Sequence, residues 1–496
     1  MRSFEWVVFV VTLTAIFTSW PFKNPRWKLT FGLWGATATL MIVQALVEKT
    51  RWQLYPAYFI GALFAIAIFF SWRRQRDPQA SPPKRRWPRI LGVVFGILGL
   101  GLSMALATML PVFSFAAPTG RFPVGTTSYE WTDDTRTDEH PKTPSGHRRL
   151  VVEVRYPAAP SDAARDVYMN ARRAEVFAQS FKLPGLFMSP LTLVRTNAQR
   201  DVPIAMRDTP FPIVLFSHGY AMPGVTGTFV ADELASRGYV VFSINHTYDA
   251  GGILFRDGTS APMVMDDNIA RIDTIDKIIG PRLLIWMADA RFVLNEIGKL
   301  DAGDARFKGQ LDLEHIGYLG HSLGGATALA TSTVDSRIKA AIDMDGAYFG
   351  VSAQSRPTQP YMLMNAGISA LADARVDGQG VTREQIEAFI KKMEDAWDAS
   401  MTSGKQNRYR VQFGGVNHLG FSDMPLVMPI TGGTLPAREA HELINQYIGA
   451  FFEQHLLGVS QPLLQGSAPN SAVNFTVPSV IDIGVHQHML SADRPG

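Results

Sequence analysis

The stretch Gly320-His321-Ser322-Leu323-Gly324-Gly325 is the part of the sequence that most strongly indicates the fold. It fits the pattern G-x-S-x-G, in which a serine lies on a sharp turn between a strand and a helix. Glycines are needed around the serine because its backbone is strained and bulky neighbours would collide with it or block a substrate. The pattern alone is weak, but here it follows an apolar run at 316–319 and opens a helical pattern without charges. The sequence therefore predicts Ser322 as a catalytic nucleophile.

Short strand-like runs alternate with helical patterns on both sides of this motif. The predicted strands cover residues 150–156, 211–216, 239–245, 316–319, 338–342, 361–364 and 409–413. The predicted helices cover residues 229–237, 283–300, 326–330, 382–397 and 437–457. This alternation is typical of a mostly parallel sheet with helices on both faces, and together with the serine motif it predicts an α/β-hydrolase fold. The helix at 382–397, with Thr382 and Gln385 as a capping pair, belongs either to the scaffold or to a lid over the site.

A serine nucleophile needs a histidine base, which in this fold lies downstream of the last strand. His418 directly follows the predicted strand 409–413, within the glycine loop Gly414-Gly415-Val416-Asn417-His418. The other downstream histidines lie in the closing helix or in the tail: His441, His455, His486 and His488. Position along the chain therefore selects His418 as the base, which would take the Ser322 proton through one ring nitrogen.

The acid that orients the histidine has four candidates. Asp343 and Asp345 both follow the strand 338–342, and in an extended stretch their side chains point to the same side. Asp373 and Asp377 follow the next strand, where many proteins of this fold carry the acid. The residues themselves leave this choice open.

The first 120 residues contain four apolar stretches, at 4–20, 29–47, 54–72 and 90–110. A helix needs roughly 20 apolar residues to cross a bilayer, and the last three stretches meet that length. The first is shorter and contains Glu5, so a cleaved signal peptide is its alternative interpretation. We expect an all-α transmembrane region of about four helices at 1–117, a catalytic domain at 118–458 and an irregular tail packed on that domain at 459–496.

Basic residues in the short loops predict the orientation, since such loops stay in the cytoplasm. The loop between the third and fourth stretches carries seven of them: Arg73, Arg74, Arg76, Lys84, Arg85, Arg86 and Arg89. The loop after the first stretch carries Lys23, Arg26 and Lys28. The fourth helix then leads outward, so the sequence predicts a multi-pass protein of the cell membrane with an extracytoplasmic catalytic domain.

Composition excludes several other classes of site. The 496 residues include no cysteine, which rules out disulfides, thiolate zinc sites and a cysteine nucleophile. The net charge of +3 gives no reason to propose a nucleic-acid partner. A serine mechanism needs neither a metal nor a cofactor, and we expect none.

The region 118–457 resembles the plasma-type platelet-activating factor acetylhydrolases and their bacterial relatives. Short elements carry the resemblance in matching order and spacing: Phe122–Thr127, Arg155-Tyr156-Pro157, Phe216–Gly219, Leu234–Tyr239, Gly320–Ala326, Ala341–Gly346 and His418–Asp423. They are similar to the family's opening strand and its YYP, FSHG, LASHG, GHSFGGA, acid-bearing LD and HxxFxD elements. The four-helix region is not part of the familiar family pattern.

The resemblance implies Ser322, Asp345 and His418 as the catalytic triad, with Asp343 as the runner-up acid. It also implies that the backbone N–H groups of Tyr220 and Leu323 form the oxyanion hole, and Tyr220 stands where the family usually has leucine. His218 and His246 lie on loops beside the site, and we expect both to be structural hydrogen-bond partners.

The implied function is an ester hydrolase that removes a short acyl group from a phospholipid-like or other lipid ester through an acyl-serine intermediate. The expected partners are a lipid or small-molecule ester and the membrane, and the oligomeric state is left open. A lipid acyltransferase with the same triad is one alternative. A catalytically silent membrane sensor with a hydrolase-like domain is the other.

Overall fold

The computed structural model describes residues 2–18, 27–76, 87–138, 146–264, 275–346, 357–367, 382–402, 407–466 and 470–476. The chain divides into two compact units. The first comprises Met1–Phe113 with the two short segments Leu186–Val194 and Val427–Ile430, and the second comprises the rest. The division falls after Phe113, four residues before the boundary expected from the sequence.

The first unit contains four apolar helices, α1 (Ser3–Thr18), α2 (Trp27–Val47), α3 (Tyr55–Gln75) and α4 (Trp87–Met109). Within the described residues, three stretches are long and apolar enough to cross a membrane: Lys28–Val47, Trp52–Arg74 and Ile90–Met109. The sequence predicted about four such helices. Helix α1 is apolar but, at 16 residues, is shorter than the other three.

A buried ion pair identifies which helix ends lie together in this unit. The Arg51 guanidinium binds both carboxylate oxygens of Glu5, with N–O distances of 2.7 and 2.8 Å. It also donates to the carbonyl oxygens of Ala107 and Leu110. The start of α1, the α2–α3 connection and the end of α4 therefore share one end of the helix bundle.

The second unit contains the larger sheet and the remaining helices. The helices are α5 (Ala171–Ser180), α6 (Thr228–Arg237), α7 (Ile275–Gly303), α8 (Leu323–Val334), α9 (Arg383–Thr402), the single turn α10 (Met424–Val427), whose last residue falls in the first unit, and α11 (Ala437–Leu457). The first strands are β1 (Val124–Thr137), β2 (His147–Pro157), β3 (Arg165–Val167), β4 (Arg195–Arg200), β5 (Phe211–Ser217), β6 (Val240–Asn245), β7 (Ile253–Leu254) and β8 (Ser260–Ala261). They are followed by β9 (Leu311–His321), β10 (Ile338–Met344), β11 (Tyr361–Ala366), β12 (Arg408–Phe413) and β13 (Val473–Thr476).

Eleven of these strands form one sheet in the order β13-β12-β11-β10-β9-β5-β6-β2-β1-β4-β3. The six central strands from β12 to β6 are all parallel, so their carboxyl ends meet at one edge of the sheet. Antiparallel strands flank them, β2 on one side and β13 on the other. This mostly parallel architecture is the one that the sequence predicted, and β13 lies in the segment expected to form the tail.

Side chains of the central strands alternate between two apolar layers, as the strand geometry requires. Val214 and Phe216 of β5 pack in one layer with residues of α6 and α11. Ile213 and Leu215 pack in the other layer with residues of α7. Burial on both faces explains why these strands are continuous apolar runs rather than alternating ones.

Helix α9 is a scaffold helix, one of the two interpretations that the sequence allowed. Its residues Met393, Trp397 and Met401 are buried against the strand residues Tyr361 and Leu363. Its amino end has the predicted capping pair: Gln385 N–H donates to the Thr382 hydroxyl, and Thr382 N–H donates to the Gln385 side chain.

Candidate active site

Ser322 lies between the end of β9 and the start of α8 with a left-handed φ of +56°. Two glycines of the motif make this turn sterically possible. A Cβ at Gly320 would lie 2.2 Å from the Gly324 carbonyl carbon, and one at Gly324 would lie 2.2 Å from the Ser217 carbonyl oxygen. Both distances are far below van der Waals contact, so the close approach of β5, β9 and α8 requires glycine here.

A continuous chain of hydrogen bonds joins Ser322, His418 and Asp345. The Ser322 Oγ lies 3.0 Å from His418 Nε2, and His418 Nδ1 lies 2.7 Å from Asp345 Oδ2. An ionised carboxylate can only accept, so Nδ1–H donates to Asp345 and Nε2 is left to accept from the serine hydroxyl. Three connections at the carboxyl edge of the sheet, after β9, β10 and β12, therefore bring together the three residues that the resemblance selected.

Asp345 is held in its orientation by the backbone around it. It adopts a φ of +56°, its N–H donates to the Met364 carbonyl, and its Oδ1 accepts from the Ala366 N–H at 2.8 Å. Burial acts to raise the pKa of this carboxyl, but the hydrogen bond from His418 and the neighbouring charges outweigh burial and leave the pKa below its ordinary value. Asp345 is therefore ionised at neutral pH.

Asp343, which the sequence left as an alternative acid, has a different environment. Its Oδ1 accepts from the Gly346 N–H at 2.7 Å, and the side chain lies among backbone atoms beneath α8. Burial raises the pKa of Asp343 to about 8, so the carboxyl is mainly protonated at pH 7. A neutral acid turned away from the imidazole cannot orient it as Asp345 does. Asp373 and Asp377, the other two candidates, lie outside the described residues.

Two of the remaining downstream histidines have other partners. His441 stacks on Phe229 with ring centroids 3.9 Å apart, and its Nε2 bonds to the Ser422 carbonyl. His455 bonds to the Tyr409 hydroxyl. His486 and His488 lie outside the described residues. The position after β12 thus distinguishes His418 from His441 and His455.

The expected oxyanion donors flank the serine. Leu323 is the first residue of α8, where a backbone N–H has no acceptor within its own helix. Tyr220 follows the end of β5, and the preceding Gly219 runs so close to the serine that a Cβ there would lie 3.4 Å from Ser322 Cβ. The phenol of Tyr220 bonds to the Val264 carbonyl. The backbone of Gly219 and the start of α8 thus both lie next to Ser322.

More than half of this chain matches the profile of a known protein family. The profile of the family described as platelet-activating factor acetylhydrolase, isoform II, matches residues 162–261 and 294–461, together more than half of the chain. The chain belongs to this family. The resemblance predicted from the short elements is therefore confirmed.

Individual relatives agree with this membership. A probable 1-alkyl-2-acetylglycerophosphocholine esterase of Arthroderma benhamiae is 24% identical over 392 residues, covering 73% of this chain and 93% of the relative. The platelet-activating factor acetylhydrolase of Cavia porcellus is 23% identical, covering 55% of this chain and 64% of the relative, just under two thirds of its length.

A solved structure supports the same fold. A ferulic acid esterase from Streptomyces cinnamoneus superimposes with a TM-score of 0.57 and 27% identity, covering 74% of this chain and all of that one. The α/β-hydrolase class is thereby confirmed. Family and neighbour together make this acetylhydrolase-family chain a carboxylic ester hydrolase.

The family element at His418–Asp423 gains a structural explanation. Asp423 is fully buried, and its carboxyl accepts from the N–H groups of Thr228 and Phe229 at the start of α6 and from the Tyr168 hydroxyl. This carboxyl joins the loop that carries His418 to α6. The element therefore fixes the position of the base from a distance of five residues along the chain.

His321 also contacts His418, the expected base, and this contact was not predicted from the sequence. Its Nε2–H donates to the His418 carbonyl at 2.8 Å, and the ring is 2% exposed. Burial, reinforced by the nearby His418, lowers the pKa of His321 to about 3, so the ring is a neutral donor at every pH near 7. Its place before the serine was visible in the motif, but its partner lies 97 residues away.

Proposed function

We propose that this chain is a membrane-anchored serine esterase that removes a short acyl group from a phospholipid-like ester through an acyl-serine intermediate. The observation that carries the proposal is the hydrogen-bonded chain Ser322–His418–Asp345 at the carboxyl edge of the sheet, in a member of the acetylhydrolase family. The proposed nucleophile, base and acid have separate roles, and the contacts described above support each of them.

Acylation begins when Ser322 Oγ attacks the ester carbonyl carbon while His418 Nε2 takes the hydroxyl proton. The carbonyl oxygen becomes an oxyanion, which the N–H groups of Tyr220 and Leu323 stabilise at the positive end of α8. The imidazolium formed on His418 is stabilised by the ionised Asp345. His418 then gives its proton to the leaving alcohol oxygen as the bond between that oxygen and the carbonyl carbon breaks.

Deacylation repeats these steps with water. His418 Nε2 takes a proton from water, the hydroxide oxygen attacks the acyl carbon, and the second oxyanion occupies the same donors. Collapse breaks the bond to Ser322 Oγ, which recovers its proton from His418. The products are a carboxylic acid and the free enzyme. Transfer of the acyl group to an alcohol in place of water would use the same groups, so acceptor access alone separates hydrolase from acyltransferase.

The names of the relatives support the proposed substrate class. They include a probable 1-alkyl-2-acetylglycerophosphocholine esterase and a platelet-activating factor acetylhydrolase, and both names describe removal of an acetyl group from a lipid. The solved neighbour acts on ferulic acid esters, which are not lipids. We therefore propose a short-acyl lipid ester and treat an aromatic ester as the comparison substrate.

The first unit supports a membrane location. Its helices carry large apolar side chains on their outer faces, with Val10, Phe59 and Leu98 each between 59% and 65% exposed. Water would disfavour such faces by roughly 25 cal/mol for each Å² of apolar surface, whereas lipid would not. Three of the helices have the length to span a bilayer.

The Arg51–Glu5 pair also supports the proposed topology. The start of α1, the α2–α3 connection and the end of α4 share one end of the bundle, as four successive crossings require. If the arginine-rich loop after α3 is cytoplasmic, this shared end is on the outer side. A phosphatase fused after Thr476 should be active, and one fused after Gln75 should be silent. The reverse pattern would contradict the topology.

Active-site labelling tests the catalytic proposal. The full chain, purified in detergent, should react with a fluorophosphonate at Ser322, as located by peptide mass spectrometry, and Ser322→Ala should not react. Labelling of wild type at another serine, or hydrolysis by Ser322→Ala at the wild-type rate, would contradict the proposed nucleophile.

Substrate comparison tests the finer proposal. We expect release of acetate from an acetylated alkyl glycerophosphocholine in mixed micelles to exceed release of ferulate from methyl ferulate in kcat/KM. Addition of a lysolipid acceptor, followed by product analysis, separates hydrolysis from transfer. Faster turnover of the ferulate ester would leave the serine mechanism intact and overturn the lipid assignment.

A further inference from the structure

A second, fully buried polar cluster lies behind the loop that carries the Tyr220 N–H. His246 Nδ1 bonds to Asp289 Oδ2 at 2.9 Å, and His246 Nε2 bonds to the Ser217 hydroxyl at 2.9 Å. The Arg148 guanidinium binds both oxygens of Asp289, at 2.7 and 3.0 Å. These groups belong to four separate elements, β2, β5, α7 and the end of β6. None of them takes part in the acyl-transfer steps described above.

His218 connects this cluster to the oxyanion loop. Its Nε2 lies 3.1 Å from the backbone nitrogen of His246, which can only donate, so Nε2 is the acceptor. Its Nδ1 lies 2.7 Å from the Gly219 carbonyl oxygen, which can only accept, so Nδ1 carries the proton. Burial, with a contribution from His246, holds the pKa of His218 well below its ordinary value. The ring is therefore neutral, and both of its hydrogen bonds have a defined direction.

The hydrogen bond from His218 to the Gly219 carbonyl also affects the Tyr220 N–H, which belongs to the same peptide unit. The peptide unit between Gly219 and Tyr220 is planar and trans, so its C=O and its N–H point in opposite directions. Fixing the carbonyl towards His218 therefore fixes the direction of the Tyr220 N–H. The Met222 N–H donates to the same carbonyl at 3.0 Å, which adds a second restraint on this peptide.

Packing prevents the His218 ring from turning out of this arrangement. The Trp286 ring stacks on His246 with centroids 3.9 Å apart and an interplanar angle of 8°. It also contacts His218 edge-on, with centroids 4.9 Å apart. His218 and His246 are both 0% exposed. Alternative rotamers of His218 would lose both hydrogen bonds, and the fully buried ring has no contact with bulk solvent that could replace them.

We propose that His218 is a positioning residue that orients the Tyr220 N–H towards the oxyanion through the Gly219 carbonyl, with the His246 backbone N–H and the Trp286 ring holding His218. This inference rests on the proposed function, because it assigns a task within the same reaction. It predicts that loss of the Nδ1 donor impairs the transition state, whereas loss of the Nε2 acceptor mainly loosens the ring.

Two amide substitutions separate these contributions. In His218→Asn the side-chain nitrogen can occupy the Nδ1 position and still donate to the Gly219 carbonyl. In His218→Gln the amide reaches the Nε2 position and can accept from His246 N–H, but no donor faces Gly219. We expect His218→Gln to lose about 10- to 100-fold in kcat, with KM within about twofold of wild type. We expect His218→Asn to keep kcat within about fivefold, since the donor is retained.

A transition-state analogue provides a readout that a purely structural role would not change. An alkyl trifluoromethyl ketone forms a tetrahedral adduct whose oxygen occupies the proposed oxyanion site. Its inhibition constant should rise in His218→Gln by the same factor by which kcat/KM falls, and should stay near the wild-type value in His218→Asn. The measurement uses the full chain with an acetyl ester, and melting temperatures establish that each variant is folded.

The outcomes separate this inference from the proposed function. Failure of a fluorophosphonate to label Ser322 in wild type would overturn the proposed function. Labelled wild type, with equal kinetics and inhibition in His218→Gln and His218→Asn, would overturn the positioning role alone. If His218→Gln does not fold, His218→Ser replaces it, since its side chain is too short to reach Gly219 as the ring does. Failure of both to fold, with His218→Asn intact, would make His218 a folding residue and would equally overturn the proposal.

Discussion

The second unit contains two hydrogen-bonded serine–histidine–aspartate groups with nearly the same distances between their members. In Ser322–His418–Asp345 the two hydrogen bonds measure 3.0 and 2.7 Å. In Ser217–His246–Asp289 both measure 2.9 Å. The order of nitrogens is also the same, with Nε2 facing the serine and Nδ1 facing the aspartate. Hydrogen-bond distances alone therefore do not distinguish the proposed catalytic group from the buried one.

The two hydrogen-bonded groups differ in their exposure to solvent and in the backbone conformation of the serine. The His418 side chain is 34% exposed, and Ser322, with its strained φ, is only partly buried, so both residues are accessible from solvent. Ser217 ends a central strand, is fully buried and shares its hydroxyl with Tyr318 at 2.7 Å.

The two groups also differ in the charged residues that surround their aspartates. Asp289 forms ion pairs with the bidentate Arg148 and with Arg136, whereas Asp345 is hydrogen-bonded to the His418 ring. An imidazolium forming beside Asp345 would therefore gain the full attraction of that carboxylate. We therefore propose that solvent access, backbone strain at the serine and the charges around the aspartate, in addition to hydrogen-bond connectivity, decide which of the two groups is catalytic.

The largest expected effect comes from exchanging the two serines for alanine. Ser322→Ala should lower kcat for an acetyl ester by at least about 10⁴-fold, because the covalent step is lost. Ser217→Ala should keep kcat within about tenfold and lose ~1–3 kcal/mol of stability, since the buried His246 and Tyr318 lose a partner. Steady-state kinetics and thermal melts of the two variants measure both effects. Comparable losses of kcat in the two variants would contradict the assignment of Ser322 as the catalytic serine and Ser217 as a structural one.

Substitution of Asp345 should mainly lower activity, whereas substitution of Asp289 should mainly lower stability. Asp345→Asn should lower kcat by about 10³- to 10⁴-fold with little change in melting temperature, because the amide no longer stabilises the imidazolium. Asp289→Asn should cost about 3 kcal/mol of stability, because it removes the bidentate carboxylate of the buried Arg148 guanidinium and leaves only the longer contact to Asp138 at 3.3 Å. Urea unfolding and single-substrate kinetics test both statements. A stable, inactive Asp289→Asn enzyme would contradict the structural role of the second chain.

A smaller kinetic effect is expected at His321, which donates to the His418 carbonyl. His321→Gln can retain a donor at the Nε2 position and should keep kcat within about threefold. His321→Leu removes the donor and should lower kcat by roughly tenfold, since the base loses one of its restraints. Equal activity of the two variants would show that the Asp345 and Asp423 contacts hold this loop unaided.

Much of the site was predictable because local patterns carry it. The G-x-S-x-G turn is a local steric requirement, and His418 follows directly after the last parallel strand, so chain order alone reached both residues. The choice of Asp345 over Asp343 needed the family resemblance, because two residues of an extended segment point to one side. The structure separates them by a left-handed φ at Asp345, which no pattern of side chains reveals.

The buried cluster was beyond the reach of sequence reasoning for a different reason. Arg148, Ser217, His246 and Asp289 are spread over 141 residues and come together only through the order of strands in the sheet. His246 was expected to be a structural hydrogen-bond partner, and it is. Its partners could not be named, because a polar residue within or beside an apolar run gives no sign of which distant group it meets.

The smallest expected effect concerns Asp343 and depends on pH. Its pKa is about 8 in the folded chain, compared with an ordinary value near 3.8, so the native state holds a proton that the unfolded chain releases. Stability from this group is fully present below about pH 4 and is lost progressively as the pH rises to about 8. Asp343→Asn has a similar shape, can still accept from the Gly346 N–H and has no proton to lose.

The variant should therefore gain in melting temperature relative to wild type as the pH rises from 5 to 8, by about 2–4 °C. Glu384→Gln is a suitable control, because that carboxylate is fully exposed and lies far along the chain from the site. Catalysis should change little in either variant, in contrast to Asp345→Asn. A melting-temperature difference that is constant across this pH range would show that Asp343 is ionised in the native state. The two neighbouring aspartates would then not be divided into one neutral and one charged member, and the single negative charge beside His418 would need another explanation.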